Sequence, residues 1–452
     1  YDYPDYFFQK RVHRMDRRLP TEGMMQDALT LLAGKRKPLI VCGGGVKYGA
    51  AAAALQQFAE RFGIPFAETQ AGKGAILSEH TLNLGGIGET GSLAANTLAK
   101  EADLVIGIGT RYTDFTTSSK WIFQNPEVAF LNINVSAFDA GKLDGVQILA
   151  DAREALEALT PRLAATGYHA AWGDAIRTAR ESLYREVDRV YQVEYSGEAF
   201  VPEIDDHLDR KAVFAEFIEQ TNSVLTQSKV LGTLNECLPQ DAVIVAASGS
   251  LPGDLQRVWR TTGINGYHVE YGYSCMGYEV NASLGVKLAE PHREVYTLLG
   301  DGSFMMLHSE LVTSIQEGCK INVVLLDNMT NGCINNLQME HGMDSFSTEF
   351  RFRDHETNSL TGGFVPVDFA MLAQAYGCKT YRVTTYAQLR EALEDARKQT
   401  VSTLIDIKVL PKTMIHKYFS WWHVGVAQAS KTERSQAVAD KLNSHLDQAR
   451  KY

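Results

Sequence analysis

Two short polar clusters, Gly300-Asp301-Gly302 and Asp327-Asn328, each end an apolar run of strand length, Val295 to Leu299 and Ile321 to Leu326. A carboxylate and a carboxamide oxygen suit a hard divalent cation. Magnesium takes oxygen ligands in near-octahedral geometry, and phosphate oxygens and water commonly complete its shell. The flanking glycines let the backbone approach a phosphate closely, and the carbonyl of Thr330 offers a third protein oxygen. Two further turns have the same character. Ala242 to Ala247 runs into Ser248-Gly249-Ser250, with Pro252 placed to open a helix whose free amides attract an anion. Tyr273-Ser274-Cys275-Met276-Gly277 leads into a helix from Tyr278 to Leu288. Each is a common turn by itself; at successive strand ends they read together as a magnesium and diphosphate clamp.

For these residues to meet, the chain between them must cross over. Leu307, Leu311 and Ile315 recur as one apolar helix face, Gly318 stops that helix, and a strand-helix-strand unit lays its strands parallel. Asp301 and Asn328 then emerge side by side at the carboxyl edge of the sheet, where open α/β sheets bind ligands. Further strands of this unit are expected at Ala242 to Ala247 and Thr403 to Val409. An earlier unit shows the same rhythm: Pro38 to Cys42, a Gly43-Gly44-Gly45 turn, a helix from Ala50 to Phe62, then strands at Ile64 to Glu68 and Leu104 to Gly109. The expected fold class is α/β, with two doubly wound parallel-sheet domains joined by a long linker. The expected divisions are a central Rossmann-like domain at 26–165, a linker at 166–229 with a charged helix from Ala175 to Tyr195, a metal- and diphosphate-binding domain at 230–410, and a C-terminal arm at 411–452.

Composition narrows the setting. The chain has 452 residues, 45% hydrophobic and 22% charged, with a net charge of -10, which fits globular domains. That charge argues against a nucleic-acid footprint, which needs a basic face. The basic stretch Lys10, Arg11, His13, Arg14, Arg17 and Arg18 reads as a solvated linker. Six scattered cysteines without paired spacing signal neither a disulfide frame nor a zinc site, and no apolar run approaches membrane-spanning length. A reducing, cytoplasmic setting without membrane association is expected. The chain opens at Tyr1-Asp2-Tyr3-Pro4 without methionine, so further residues are expected to precede it.

The Gly300-Asp301-Gly302 to Asp327-Asn328 pattern resembles the signature of thiamine-diphosphate enzymes of the acetolactate synthase and pyruvate oxidase type, with Asp327 standing where the family has its first asparagine. The segment Phe364-Val365-Pro366-Val367-Asp368-Phe369 is also similar to the family. The resemblance implies thiamine diphosphate and Mg²⁺ as cofactors. Asp301, Asn328 and the Thr330 carbonyl would hold the metal. Ser248, Gly249, Ser250, Gly300, Gly302 and Ser303 would face the diphosphate, and Ser274, Cys275 and Met276 the aminopyrimidine, with Met276 wedging the cofactor into its bent shape. More narrowly, Glu270 to Glu279 and the tail Trp421-Trp422-His423-Val424-Gly425-Val426 resemble members that hydrolyse a carbon-carbon bond of a cyclic 1,2-dione in myo-inositol breakdown. Glu279 and Asn281 replace the usual glycine and proline.

That reading implies a small cyclic polyol dione as substrate, a trihydroxycyclohexane-1,2-dione opened to 5-deoxy-glucuronate, with Asn335, Gln338 and His423 as polar candidates to touch it. A homodimer or homotetramer is implied as well. Residues 1–25 would link to an N-terminal domain carrying the glutamate that activates the cofactor, a residue expected to lie outside this chain. Three alternatives stand beside it: a decarboxylase or carboligase acting on 2-keto acids, a catalytically inactive binding module, and an NAD-dependent dehydrogenase. The last is suggested by Gly43-x-Gly45-x-x-x-Gly49 after a strand, with Glu68 further on, which imitates a dinucleotide fingerprint.

Overall fold

The computed structural model describes residues 1–204, 210–426 and 429–450. Two six-stranded sheets, every pairing parallel, carry the fold. The first is built from β1 (Pro38–Cys42), β2 (Phe66–Glu68), β3 (Asn83–Gly86), β4 (Leu104–Ile108), β5 (Ala129–Asn134) and β6 (Val146–Leu149), in the order β3-β2-β1-β4-β5-β6. The second contains β7 (Val243–Ala246), β8 (Tyr267–Val269), β9 (Val295–Gly300), β10 (Asn322–Asp327), β11 (Lys379–Val383) and β12 (Thr403–Lys408), in the order β11-β12-β10-β9-β7-β8. The central strands are apolar and fully buried because helices cover both faces, the usual condition of a parallel sheet.

The first order reverses between β1 and β4, and the second has a reversal between β7 and β9. At such a reversal the loops leaving neighbouring strands part to opposite faces and open a crevice. The two crevices are used differently. In the second sheet the turns after β7 and β9 are the Ser248-Gly249-Ser250 and Gly300-Asp301-Gly302 segments. In the first sheet the crevice is closed by the chain itself. Gly43 N donates to Ile108 O at 2.9 Å and Gly45 N to Gly109 O at 3.0 Å. A Cβ on Gly43 would lie 2.3 Å from Gly109 O, and one on Gly45 2.6 Å from Gly109 Cα. These glycines serve backbone-to-backbone approach, and Glu68 is fully buried and accepts from Gly74 N at 3.1 Å, so packing accounts for both halves of the pattern that imitates a dinucleotide fingerprint.

Two other expectations change. The helix after Gly300 is broken: Asp301–Met306 ends at Leu307, whose backbone is extended, and Glu310–Gln316 begins the next helix. Leu307 lies against Gly277, where a Cβ would come within 2.9 Å, so contact with the neighbouring turn overrides the four-residue periodicity. Leu311 keeps its predicted buried place. The 166–229 segment, expected as a linker, clads both sheets. Ala175–Val190 puts Ala179, Leu183, Val187 and Val190 into the core of the first sheet, while Phe214 and Phe217 of Arg210–Thr221 join Met329, Phe364 and Leu410 of the second unit. The C-terminal arm returns to the first unit, where Ile415 and Tyr418 enter its core and Asn96 Nδ2 donates to Tyr418 O at 2.7 Å.

Candidate active site

Strand β10 lies between β9 and β12, so the ends of β9 and β10 deliver Asp301 and Asn328 to one place. Asp301 is buried, and its carboxylate accepts from three backbone N–H groups: Gly302 at 2.7 Å, Asn328 at 3.2 Å and Thr330 at 3.3 Å. Burial first, and the Asp327 carboxyl beside it second, push the Asp301 carboxyl well above the ordinary carboxylate range. A carboxyl buried in this way would need a cation beside it to stay ionised, which is what a magnesium ion would supply. Asn328 Oδ1 accepts from Thr330 N at 3.1 Å, and Met329 between them takes a left-handed backbone, φ 55°.

The departure at Asp327 has a local counterpart. Asp327 and Lys408 are register partners on β10 and β12, and Lys408 Nζ pairs with the Asp327 carboxylate while reaching Asp406 at 3.1 Å. The extra carboxylate is therefore paired from its own sheet, and Met329 N also donates to Asp327 Oδ1 at 3.0 Å.

Around this pair lies a cavity of about 530 Å³. Ser248, Gly249, Ser250, Ser274, Met276, Gly300, Asp301, Gly302, Ser303, Asn328 and Thr330 all line it. Among the described residues Ser248 Oγ is buried without a hydrogen-bond partner, Gly249 has φ 103°, and the Ser250–Val258 helix starts there without a side-chain cap. A Cβ at Gly302 would stand 2.2 Å from Asn331 Oδ1 and 3.4 Å from Met276 Cε, so only glycine leaves this floor open. The orphan hydroxyl, the helix start and the glycine floor fit a diphosphate; the buried Asp301 and Asn328 oxygens fit its magnesium.

The Met276 turn is held from below. The Glu270 carboxylate accepts from Gly272 N at 2.6 Å, Tyr273 N at 3.0 Å and Cys275 N at 2.8 Å. Partial burial pushes this carboxyl up, but the three N–H groups outweigh it and hold the group below its ordinary range. Glu279, the departure from glycine, is buried and accepts from Ser303 Oγ at 2.7 Å and Gly277 N at 2.9 Å, which ties the Met276 turn to the diphosphate turn. Burial raises its carboxyl, against the Ser303 hydroxyl and nearby backbone N–H groups.

Four expected site residues stand elsewhere. Cys275 is exposed and off the cavity, its backbone N–H held by Glu270. The polar candidates Asn335, Gln338 and His423 do not line the cavity either. Asn335 is consumed by Ser345, Thr348 and Lys412; Gln338 by Phe346 and Thr348; and His423 is exposed, its ring against Trp421. A carboxamide on a helix beside a site need not face it. The cavity wall is instead completed by Glu89, Asp254, Arg257, Glu340, Lys417 and Trp422, which come from distant segments and share no spacing that a sequence pattern would flag.

Comparisons with known proteins agree with this geometry. The family described as thiamine pyrophosphate enzyme, C-terminal TPP binding domain, matches residues 247–407, and the thiamine pyrophosphate enzyme central domain matches residues 25–159. Over all 452 residues the chain is 58% identical to a 3D-(3,5/4)-trihydroxycyclohexane-1,2-dione hydrolase of Bacillus thuringiensis (strain Al Hakam), spanning 70% of that protein. It is likewise 58% identical to the hydrolase of the same name from Bacillus cereus (strain 03BB102) and 57% identical to that of Bacillus anthracis, again over 100% of this chain and 70% of each relative. A floor shaped for a metal-bound diphosphate, two matching domains and full-length similarity of this order lead to one assignment: the chain belongs to the thiamine pyrophosphate enzyme family, in the group of the trihydroxycyclohexane-1,2-dione hydrolases.

Proposed function

We propose that this protein hydrolyses a carbon-carbon bond of a cyclic 1,2-dione, opening a trihydroxycyclohexane-1,2-dione to 5-deoxy-glucuronate, with thiamine diphosphate and Mg²⁺ bound in the cavity between the two sheets. The observation that carries the reading is the buried Asp301 carboxyl beside Asn328 and the orphan Ser248 hydroxyl. Asp301, Asn328 and the Thr330 carbonyl hold the metal. Ser248 to Ser250, with Gly300, Gly302 and Ser303, receive the diphosphate, and the Ser274 to Met276 turn borders the organic end of the cofactor. When bound, thiamine diphosphate supplies the carbanion chemistry that cleaves a bond next to a carbonyl. The chain's own contribution is position and electrostatics: it fixes the anion, orients the rings over Met276 and encloses the reacting carbonyl. Proton transfer at the aminopyrimidine is assigned to no residue of this chain.

The Asp301→Ala protein, titrated with thiamine diphosphate at increasing Mg²⁺, tests the assignment. Metal-dependent binding should disappear while the fold, followed by circular dichroism, persists. Unchanged binding and dione hydrolysis would remove the metal site. A homodimer or homotetramer is part of the proposal, supported by the family, and light scattering measures it.

A further inference from the structure

One wall of the cavity is lined by charged residues that the proposed metal and diphosphate clamp does not use. Glu89, on the turn after β3, and Glu340, at the end of the Gly332–Glu340 helix, are bridged by Lys417 of the C-terminal arm, with 2.9 Å to each carboxylate. All three line the same cavity as Ser248 and Gly302. Beside them Arg257 reaches Asp254 Oδ1 at 3.1 Å and the Glu89 carbonyl at 3.3 Å. Two buried polar atoms on this wall have no hydrogen-bond partner among the described residues, Glu89 Oε2 and Arg257 Nε. The Glu89 side chain is only 4% exposed and that of Arg257 8%.

Such an orphan acceptor costs ~1–3 kcal/mol or more when the group is charged, so a fold that keeps one must hold it there. The Glu89 turn cannot relax. Gly88 has φ 100°, a Cβ on it would lie 1.8 Å from Phe115 O, and Glu89 N donates to that same carbonyl at 2.7 Å. Nor can Lys417 fill the vacancy, since it is shared with Glu340. The wall is a fixed set of acceptors waiting for donors, with a fixed N–H donor next to it.

The chemistry of the missing partner follows. Two carboxylates to one ammonium leave the triad with an excess negative charge, while Arg257 and Asp254 offset each other. Carboxylate oxygens accept from hydroxyls, and the ammonium and guanidinium donate to hydroxyl or carbonyl oxygens. A neutral ring bearing adjacent hydroxyls presents this alternation of donors and acceptors. A 2-keto acid would bring its own carboxylate against Glu89 and Glu340, and like charges repel.

We propose that Glu89, Lys417 and Glu340, with Arg257, form the subsite that binds the hydroxyl groups of a neutral cyclic polyol and turns away anionic 2-keto acids. This rests on the cavity being the cofactor cavity described above, and it specifies which substrate class that cavity admits.

The test uses the full-length protein with and without Mg²⁺ and thiamine diphosphate, scyllo-inositol as the neutral cyclic probe and pyruvate as the anionic one, each titrated by calorimetry. Glu89→Gln and Lys417→Met should each weaken scyllo-inositol at least about tenfold, as expected for losing one hydrogen bond to a charged group. Lys417→Arg should retain more binding than Lys417→Met, and Glu89→Gln should bind pyruvate more tightly than the parent. Thiamine diphosphate affinity, read from tryptophan fluorescence, should stay within about twofold in all three. The proposal is overturned if folded Glu89→Gln and Lys417→Met bind scyllo-inositol as the parent does, if the parent does not bind it, or if the parent prefers pyruvate. Failure of the parent to bind thiamine diphosphate would instead remove the cofactor reading, a separate outcome of the same titrations.

Discussion

Replacing Gly302 by alanine separates folding from binding. Gly302 lies in the Asp301–Met306 helix without a positive φ, so alanine is acceptable to its backbone and by propensity favours that helix by up to ~1 kcal/mol. The added Cβ, however, would stand 2.2 Å from Asn331 Oδ1, where ordinary contact begins near 3.4 Å. Asn331 must therefore retreat by about 1.2 Å, the difference between those two distances, and as a side-chain end it has the freedom to do so. It retreats on the floor of the cavity, and the new methyl occupies space there next to Met276. Overpacking by one methyl group costs ~1–3 kcal/mol, so thiamine diphosphate affinity should fall by about 5- to 150-fold. Urea unfolding of the cofactor-free protein should change by less than ~1 kcal/mol in either direction. The assay pairs that unfolding curve with a fluorescence titration at saturating Mg²⁺. Parent-like affinity in Gly302→Ala would refute the placement of the diphosphate on this floor, whatever the stability result.

Three other outcomes follow from the same geometry. Lys408→Met leaves Asp327 uncompensated and should destabilise by ~3–5 kcal/mol in urea unfolding, with Asp327→Asn in the same protein restoring much of the loss. Burial, opposed by Arg257 and other partners, raises the fully buried Asp254 from 3.8 to about 6. Because the folded state holds this proton more tightly, the stability it contributes is complete below about pH 4 and is lost as pH rises through about 6, a change of ~3 kcal/mol that should be missing from the pH series of Asp254→Asn. Gly43→Ala forces a methyl to 2.3 Å from the Gly109 carbonyl, which is backbone and cannot swing aside, so stability should drop by at least ~1–3 kcal/mol while the folded fraction binds thiamine diphosphate normally.

The clamp was legible in sequence because its parts are local. A strand that ends in Gly-Asp-Gly and a second that ends in Asp-Asn need only a right-handed crossover to meet, and β9 and β10 supply it within one or two residues of the expected bounds. β1 was found at its full length for the same reason. What escaped were features decided by contacts across the fold. The break at Leu307 follows from Gly277, and the burial of Leu183 and Val187 from a sheet that ends well before them. The Glu89, Arg257 and Lys417 wall joins three segments far apart in sequence, Lys417 being contributed by the returning arm. Asn335 and Gln338 show the converse: suitable residue types near the site, spent on holding the 345–348 loop. Glycine-rich turns after β1 and β7 look alike as text, and only the presence of Gly109 opposite Gly43 tells them apart.

The cavity takes its floor from the second sheet, but Glu89 reaches it from the first and Lys417 from the arm stitched onto that unit. On the proposed reading the substrate wall is therefore shared: Glu89 and Lys417 belong to the first unit and its arm, Arg257 and Glu340 to the unit that carries the clamp. Substitutions at Glu89 or Lys417 would then alter substrate range from outside the unit that holds the metal and diphosphate, whereas those at Arg257 would act on the helix that begins at Ser250.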